Sequence, residues 1–395
     1  MAEPRELSPG VFSLRAYVGR SPSGSPRYLS ETYRHPRPDG GIAEARRRLR
    51  KLEQKAAKQK STISFAALLN DWLDHTRTIG RSPTTVAGYE WRCRLISEAL
   101  GDVVADTLTA KQLDQWYGQL LREGRSPADV RGFHRVISAA LNRGEQWGTI
   151  SKNVARRADP PRVPAPEISP PSADRVATLI GLAECSRSTE LADLIRWAVL
   201  TGCRRGEICA LRWSRVDWEN ARVRVSRSIW QVNKDIGEKD TKGQAARWVS
   251  VGEVGLTILR GRQERARAIA EAVGVTVGPD AYVWSSDESG LEPMHPDRLT
   301  QGFTRLCRTA EKPAAKLAKE AGRELSEDER WNYRLHDCRH FAATALIEGG
   351  MSLVAVSKIL GHAQVSTTGN VYGHGNIEGD QRASDILGAT LALPS

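Results

Sequence analysis

Residues 336–374, HDCRHFAATALIEGGMSLVAVSKILGHAQVSTTGNVYGH, bring together His336, Arg339, His340, His362 and Tyr372. These are residue types that can break a phosphodiester. A Tyr hydroxyl, with an ordinary pKa of about 10, can attack phosphorus and hold the cut strand covalently. Charge then builds on the non-bridging oxygens, which calls for fixed guanidinium groups. The departing sugar oxygen needs a proton, for which Lys or His is suited. Two further parts lie upstream: Arg204 in TGCRRGEICALRW and Lys242 beside Gly243 in TKGQAARWVSV. With cations supplying the electrostatics, such a reaction requires no metal and no cofactor. Taken singly, each residue has a plainer reading. Arg204 would be a helix-end cation, Lys242 a turn lysine, His336 or His362 a satisfied structural histidine, and Tyr372 a core side chain. The joint pattern carries the chemistry.

These residues need a scaffold. STELADLIRWAVLTG reads as a helix stopped at Gly202, and a second helix is expected near Glu207, over GEICALRW. Arg204 and Arg205 then sit at the corner, where backbone N–H groups and the macrodipole also favour an anion. Glu207 reads as an orienter or salt-bridge partner of the arginines. Residues 222–229 (RVRVSRSI) alternate as one strand, and TKGQAARWVSV reads as a hairpin turn followed by a strand. LTILRGRQERARAIAEAVG is helical, AYVWSSD a short strand, and HPDRLTQGFTRLCRTAEK a further helix. His336 and Arg339, three apart, share a helix face. His362 follows Leu360-Gly361 at a tight turn, and His340 is taken as structural. Residues 312–332 are charged, Ala-rich and helix-prone, with no evident role.

The preceding chain divides into three stretches. Residues 10–35 hold strand-like pieces around the turn cluster SPSGSP, and IAEARRRLRKLEQKAAKQK has helical apolar spacing. Residues 61–158 read as about four helices, with Thr62 or Ser64, Ser82, Thr109 and Ser126 as N-caps and Pro83 and Pro127 in first turns. Trp72, Trp91, Trp116 and Trp147 have the spacing of core residues rather than DNA-stacking ones. Residues 159–171, DPPRVPAPEISPP, form a Pro-rich linker.

Composition narrows the partners. The 395 residues carry a formal net charge of +11. Residues 1–60 hold 14 Lys and Arg against 6 Asp and Glu, so +8 of that total lies in the N-terminal end. A concentrated basic end fits a polyanion-binding arm. No apolar run approaches the roughly 20 residues of a membrane span, and MAEPRELSPG lacks a signal-peptide layout. The six Cys show no C-x-x-C pair, which favours reduced thiols in the cytoplasm over a zinc module.

On these motifs the chain resembles the tyrosine recombinase (phage integrase) family. TGCRRGEICALRW is similar to that family's T-G-x-R-x-x-E-[IL]-x-x-L-x-W box, which assigns the first catalytic arginine to Arg204 rather than Arg205. TKGQAARWVSV is similar to its hairpin K-x-x-x-x-R pattern, which makes Lys242 catalytic and Arg247 a non-catalytic arginine. HDCRH resembles the H-x-x-R-H box, giving His336 and Arg339. LGHAQVSTTGNVYGH resembles the family's ending, giving His362 and the nucleophile Tyr372. The resemblance implies a mainly α fold with small β-sheets: an arm-type DNA-binding domain at 1–60, a helical core-binding (SAM-like) domain at 61–158, the linker at 159–171, and a mixed α+β catalytic domain with a C-terminal tail at 172–395. It also implies strand cleavage and rejoining on double-stranded attachment-site DNA, through a 3′-phosphotyrosyl intermediate and a Holliday junction. A homotetramer in a bacterial host's cytoplasm, at the nucleoid, is implied, and room is left for a host DNA-bending protein and an excision factor. The tail ASDILGATLALPS would dock on a neighbouring protomer. The length of 312–332 departs from the family's pattern. Other readings are a type IB topoisomerase-like relaxing enzyme, a DNA-binding module without catalysis, and a metal nuclease using His336, His340 and His362. The last lacks an acidic cluster or metal-ligand spacing.

Overall fold

In the computed structural model, residues 3–20, 26–37, 40–59, 63–164, 169–186, 188–240 and 246–361 are described. The chain divides into two compact units, Met1–Ala165 and Pro166–Ser395. The SPSGSP turn and the C-terminal tail lie almost wholly outside the described residues.

The first unit opens with a three-stranded antiparallel sheet, β1 (Arg5–Ser8), β2 (Val11–Arg20) and β3 (Pro26–Arg34), in the order β1-β2-β3. Alternation along β2 sends Phe12, Leu14 and Ala16 to one face. Helix α1 (Ile42–Gln59) covers that face with Ala45, Leu49, Leu52 and Ala56, at helical three- and four-residue steps. The outer side of α1 keeps its arginines exposed.

Four helices follow: α2 (Phe65–Thr78), α3 (Pro83–Leu100), α4 (Ala110–Arg122) and α5 (Pro127–Trp147). Their starts are set by side chains that accept orphan backbone N–H groups. Ser64, Ser82 and Ser126 do this for α2, α3 and α5, and Pro occupies the first turn of the latter two. Thr109 and Gln112 form a reciprocal capping box on α4. Gly148, at φ 72°, ends α5 in the left-handed conformation. Phe65, Leu69, Ile96, Leu113, Phe133 and Ile137 make one shared core. Trp72 and Trp116 are buried in it, while Trp91 and Trp147 are half-buried against Phe133 and His75.

The second unit is mixed. α6 (Ala173–Glu184), capped by Ser172, and α7 (Thr189–Thr201) lead to Gly202 at φ 57°. The next helix, α8 (Arg205–Cys209), starts earlier than the sequence suggests and is only five residues long. It stops because residues 211–213 pair with an extended segment instead: Val283 N donates to Leu211 O (2.8 Å) and Trp213 N to Ala281 O (3.1 Å). That segment, expected as a strand at AYVWSSD, makes only isolated bridges. Its Ala281, Tyr282, Val283 and Trp284 are nonetheless buried.

The expected single strand at 222–229 is two strands. β4 (Val216–Asp217), β5 (Arg222–Val225) and β8 (Arg247–Ser250) form one sheet in the order β4-β5-β8. β6 (Arg227–Val232) leaves that sheet after Ser226 and pairs with β7 (Asp235–Asp240) as a separate hairpin. DIGEKD has poor strand propensity and gives little sequence signal for β7. Trp230 lies opposite Gly237 and covers it, so the glycine gains the packing that it cannot make itself. Three long helical passages complete the unit: α9 (Gly252–Ala272), α10 (Pro296–Glu320), and the pair α11 (Asp337–Glu348) and α12 (Leu353–Leu360). Ala343, Val356 and Leu360 pack α11 on α12. Helices predominate and the sheets are small, as the sequence implies.

Candidate active site

The site is built where three chain turns meet: the entry to α8, the start of β8, and the end of α12. Gly202 takes a left-handed conformation, and a Cβ there would run into Leu360. This lets the entry to α8 lie directly against α12. Glu207, in the first turn of α8, accepts the Arg204 backbone N–H at 2.9 Å and the Arg204 Nη1 at 3.0 Å. The anion at this helix start is therefore the protein's own carboxylate. Arg247, the first residue of β8, donates Nη2 to Glu207 Oε2 (2.7 Å) and Nη1 to Oε1 (3.2 Å). The Glu207 side chain is 2% exposed and that of Arg247 10%. Burial alone would raise the Glu207 carboxyl. The hydrogen bonds and charges of Arg247 and Arg204 outweigh it and hold the pKa below its ordinary value.

Three guanidinium groups then converge on consecutive carbonyls at the end of α12. Arg247 Nε donates to Ile359 O (3.0 Å), Arg339 Nη2 to Leu360 O (2.7 Å), and Arg204 Nη2 to Gly361 O (3.2 Å). Arg339 also donates Nη1 to Gly202 O (2.6 Å). The last carbonyls of a helix lack intrahelical partners and carry the negative end of its dipole, so cations suit them. Gly361 is left-handed at φ 69°, and a Cβ there would come within 2.9 Å of Arg247 Nη1. The chain passes from this fixed glycine directly into His362.

Arg339 is 3% exposed. Burial, then the like charge of Arg204, lowers its pKa to about 10, so it stays protonated at pH 7. Arg204 keeps 35% of its side chain open and is the arginine of the three most accessible to a ligand. Arg205 turns away, donating to Asp297 (3.3 Å) and Thr300 (2.8 Å) on α10. His336 precedes α11 and sits edge-on to His340, with ring centroids 5.1 Å apart. Its outer side is exposed while protein packs behind it. That desolvation, followed by His340, Arg339 and Arg204, lowers its pKa to about 4, so the ring is neutral at pH 7. Burial also lowers the His340 pKa.

Of the six residues singled out by the sequence, Arg204, His336 and Arg339 are brought together here. Lys242, His362 and Tyr372 lie outside the described residues. Lys242 follows Asp240, the last residue of β7, by two positions, and Arg247 begins β8 five residues later. The sequence reading missed the carbonyl trio, because backbone acceptors have no residue signature. Gly361 was the available signal. Among the described residues no group of three or more His, Cys, Asp or Glu is placed to hold a metal ion.

Residues 172–378 match the model of the phage integrase family, and that span covers more than half of the chain. This chain belongs to the phage integrase family. A tyrosine recombinase XerC-like protein of Caldanaerobacter subterraneus is 23% identical over 333 residues, 79% of each chain. The ICEBs1 integrase of Bacillus subtilis is 21% identical over 378 residues, covering 94% of this chain and 95% of the relative. The fold is similar to that of the Tn1549 transposon integrase solved in complex with a circular intermediate DNA. The TM-score is 0.66 at 19% identity, over 82% of this chain and 100% of that one. A lambda integrase tetramer bound to a Holliday junction gives a TM-score of 0.54 at 19% identity, over 95% and 99% of the two chains.

Two outcomes follow for this phage integrase family member. Glu207→Gln removes the only carboxylate shared by Arg204 and Arg247 among the described residues. It should destabilise the second unit by about 3 kcal/mol in denaturant unfolding at pH 7. The lowered pKa means that the ion pairs stabilise the wild type above Glu207's unfolded value and are lost as pH falls through the folded value. The acid limb of stability should therefore flatten in Glu207→Gln; an unchanged pH 7 midpoint and acid limb would show that the carboxylate holds nothing. Separately, proton NMR with His336→Gln for assignment should find His336 titrating near 4, and higher when an anion occupies the site. Titration of the free protein near 6.5 would refute the crowded cationic setting.

Proposed function

We propose that the chain is a site-specific DNA recombinase that integrates or excises a mobile element. The convergence of Arg204, Arg247 and Arg339 on the consecutive carbonyls at the end of α12 supports this reading most strongly. Glu207 pairs with Arg204 and Arg247, while Arg339 donates to the Gly202 and Leu360 carbonyls, and such a gathering of guanidinium groups suits a phosphate. Arg204 and Arg339 hold the non-bridging oxygens, where charge builds during transfer. Tyr372 Oη attacks phosphorus and forms a 3′-phosphotyrosyl bond while the bond to the 5′-oxygen breaks. Lys242 gives that oxygen its proton. His336 and His362 hold the phosphate, and a neutral His336 can also accept the Tyr372 proton.

The bond energy stays in the phosphotyrosine, so a 5′-hydroxyl of a second duplex can reverse the step on a new strand. Two such exchanges make and resolve a Holliday junction. Neither ATP nor a metal enters this balance. Residues 1–60 serve as the arm domain, 61–158 as the core-binding domain, 159–171 as the linker and 172–395 as the catalytic domain. The partners are double-stranded attachment-site DNA and three further copies of the chain, with a host DNA-bending protein and an excision factor as accessory proteins. The setting is the bacterial cytoplasm. No helix among the described residues is long and apolar enough to cross a membrane.

A nicked suicide duplex carrying the attachment site tests this reading. The wild type should become covalently joined to it in the presence of a chelator, and Tyr372→Phe should not. Attachment that survives in Tyr372→Phe, or that disappears with chelator, would overturn the proposal.

A further inference from the structure

α10 runs well past the core that its first half serves. Leu299, Phe303, Leu306 and Cys307 are buried, and Ala318 is the last buried side chain along it. The opposite face carries Arg298, Arg305, Arg308, Lys312, Lys316 and Lys319, all exposed. At about 100° per residue these six project within an arc of about 80° and extend over about 31 Å of helix. Among the described residues, the stripe has one carboxylate partner, Glu320, at 3.9 Å from Lys316. α9 differs: there Arg260, Arg262 and Arg265 are paired with Glu253, Glu190 and Asp193. An outward face of mixed charge is the ordinary solvated surface. A face of one sign over six turns is a polyanion surface.

The extension is also held in place. Pro313 lies inside α10, where it deletes a backbone hydrogen bond, yet the helix continues to Glu320. The returning chain is tied down around it. Arg175 on α6 donates to Arg330 O (2.7 Å) and to Tyr333 Oη (2.8 Å), and stacks over the Trp331 ring at 4.8 Å. Glu311 on α10 accepts the Trp331 N–H at 2.7 Å. Arg323 pairs with Glu329 at 2.6 Å. Residues 312–332, which lack a role in the sequence reading, thus hold the end of the stripe and the returning chain that is tied down beside it.

We propose that the outer face of α10 is a second DNA-contact surface that grips duplex phosphates away from the one being cut. It rests on the recombinase reading for its partner. Its length is close to one turn of B-form duplex, about 34–36 Å. Lys312, Lys316 and Lys319 act as point charges on the backbone and add affinity without reading sequence.

The test uses the full chain and a labelled duplex carrying the attachment site, extended by about one turn on each side, titrated over a range of salt concentrations. The triple variant Lys312→Gln, Lys316→Gln, Lys319→Gln should melt like the wild type and bind at least about tenfold more weakly at about 0.1 M salt. Its plot of log affinity against log salt should be shallower by about 0.9 for each lost contact. Replacing the same three lysines with Arg should restore both. A control triple on α9, Arg260→Gln, Arg265→Gln, Arg267→Gln, should change neither. Wild-type affinity and slope in the Lys→Gln triple would overturn the second surface and leave the recombinase reading intact. A wild type that fails to bind the duplex at all would overturn both.

Discussion

The carboxylate of Glu207 is the hub on which the second unit's functional geometry depends. It is buried and ionised, which is costly unless every oxygen is satisfied. Here Oε1 and Oε2 together accept from Arg204, its backbone N–H, and both terminal nitrogens of Arg247. A helix start, a strand start and a side chain are thus fixed by one group. α8, β8 and α12 are each short, and this shared carboxylate adds to the few buried side chains that place them, among them Ile208, Val249 and Leu360.

Arg204 and Arg247, held by Glu207, also donate to the carbonyls of Gly361 and Ile359, and Arg339 donates to the Leu360 carbonyl between them. This arrangement has two consequences. It terminates α12 at a fixed place, so the chain enters His362 from a held glycine rather than from a fraying helix end. It also gathers three guanidinium groups beside one carboxylate in a partly buried setting, where charges interact more strongly than in water. The depressed His336 pKa comes first from burial, then from His340, with Arg339 and Arg204 adding to it. Positioning and electrostatics therefore come from one network.

Much of this was legible in the sequence, for reasons that differ by element. The bundle helices announced themselves because Ser82-Pro83, Thr109 and Ser126-Pro127 are local signals that tertiary contacts had no cause to override. Arg204, His336 and Arg339 were legible because their motifs combine residue type with spacing. The errors fall where long-range pairing decides the backbone. GEICALRW has a helical pattern, yet Leu211 and Trp213 gain more by bonding with 281–283. RVRVSRSI alternates without a break, yet Ser226 marks a change of partner from β8 to β7. Neither event leaves a local trace. Residues 312–332 were unreadable for another reason: the clamp of Arg175 on Trp331 joins positions more than 150 residues apart. Arg247 appeared only as a non-catalytic motif residue, and its place as the second guanidinium on Glu207 depends wholly on where α8 and β8 meet.

The central claim is that this cluster of cations serves a phosphoryl transfer to Tyr372 and no other group. Mass mapping of the DNA-linked peptide after trapping on a nicked duplex tests it most directly. The account predicts one modified residue, Tyr372, joined to the 3′-phosphate of the cleaved strand with the 5′-end left as a hydroxyl. A link at another side chain, or through a 5′-phosphate, would contradict it.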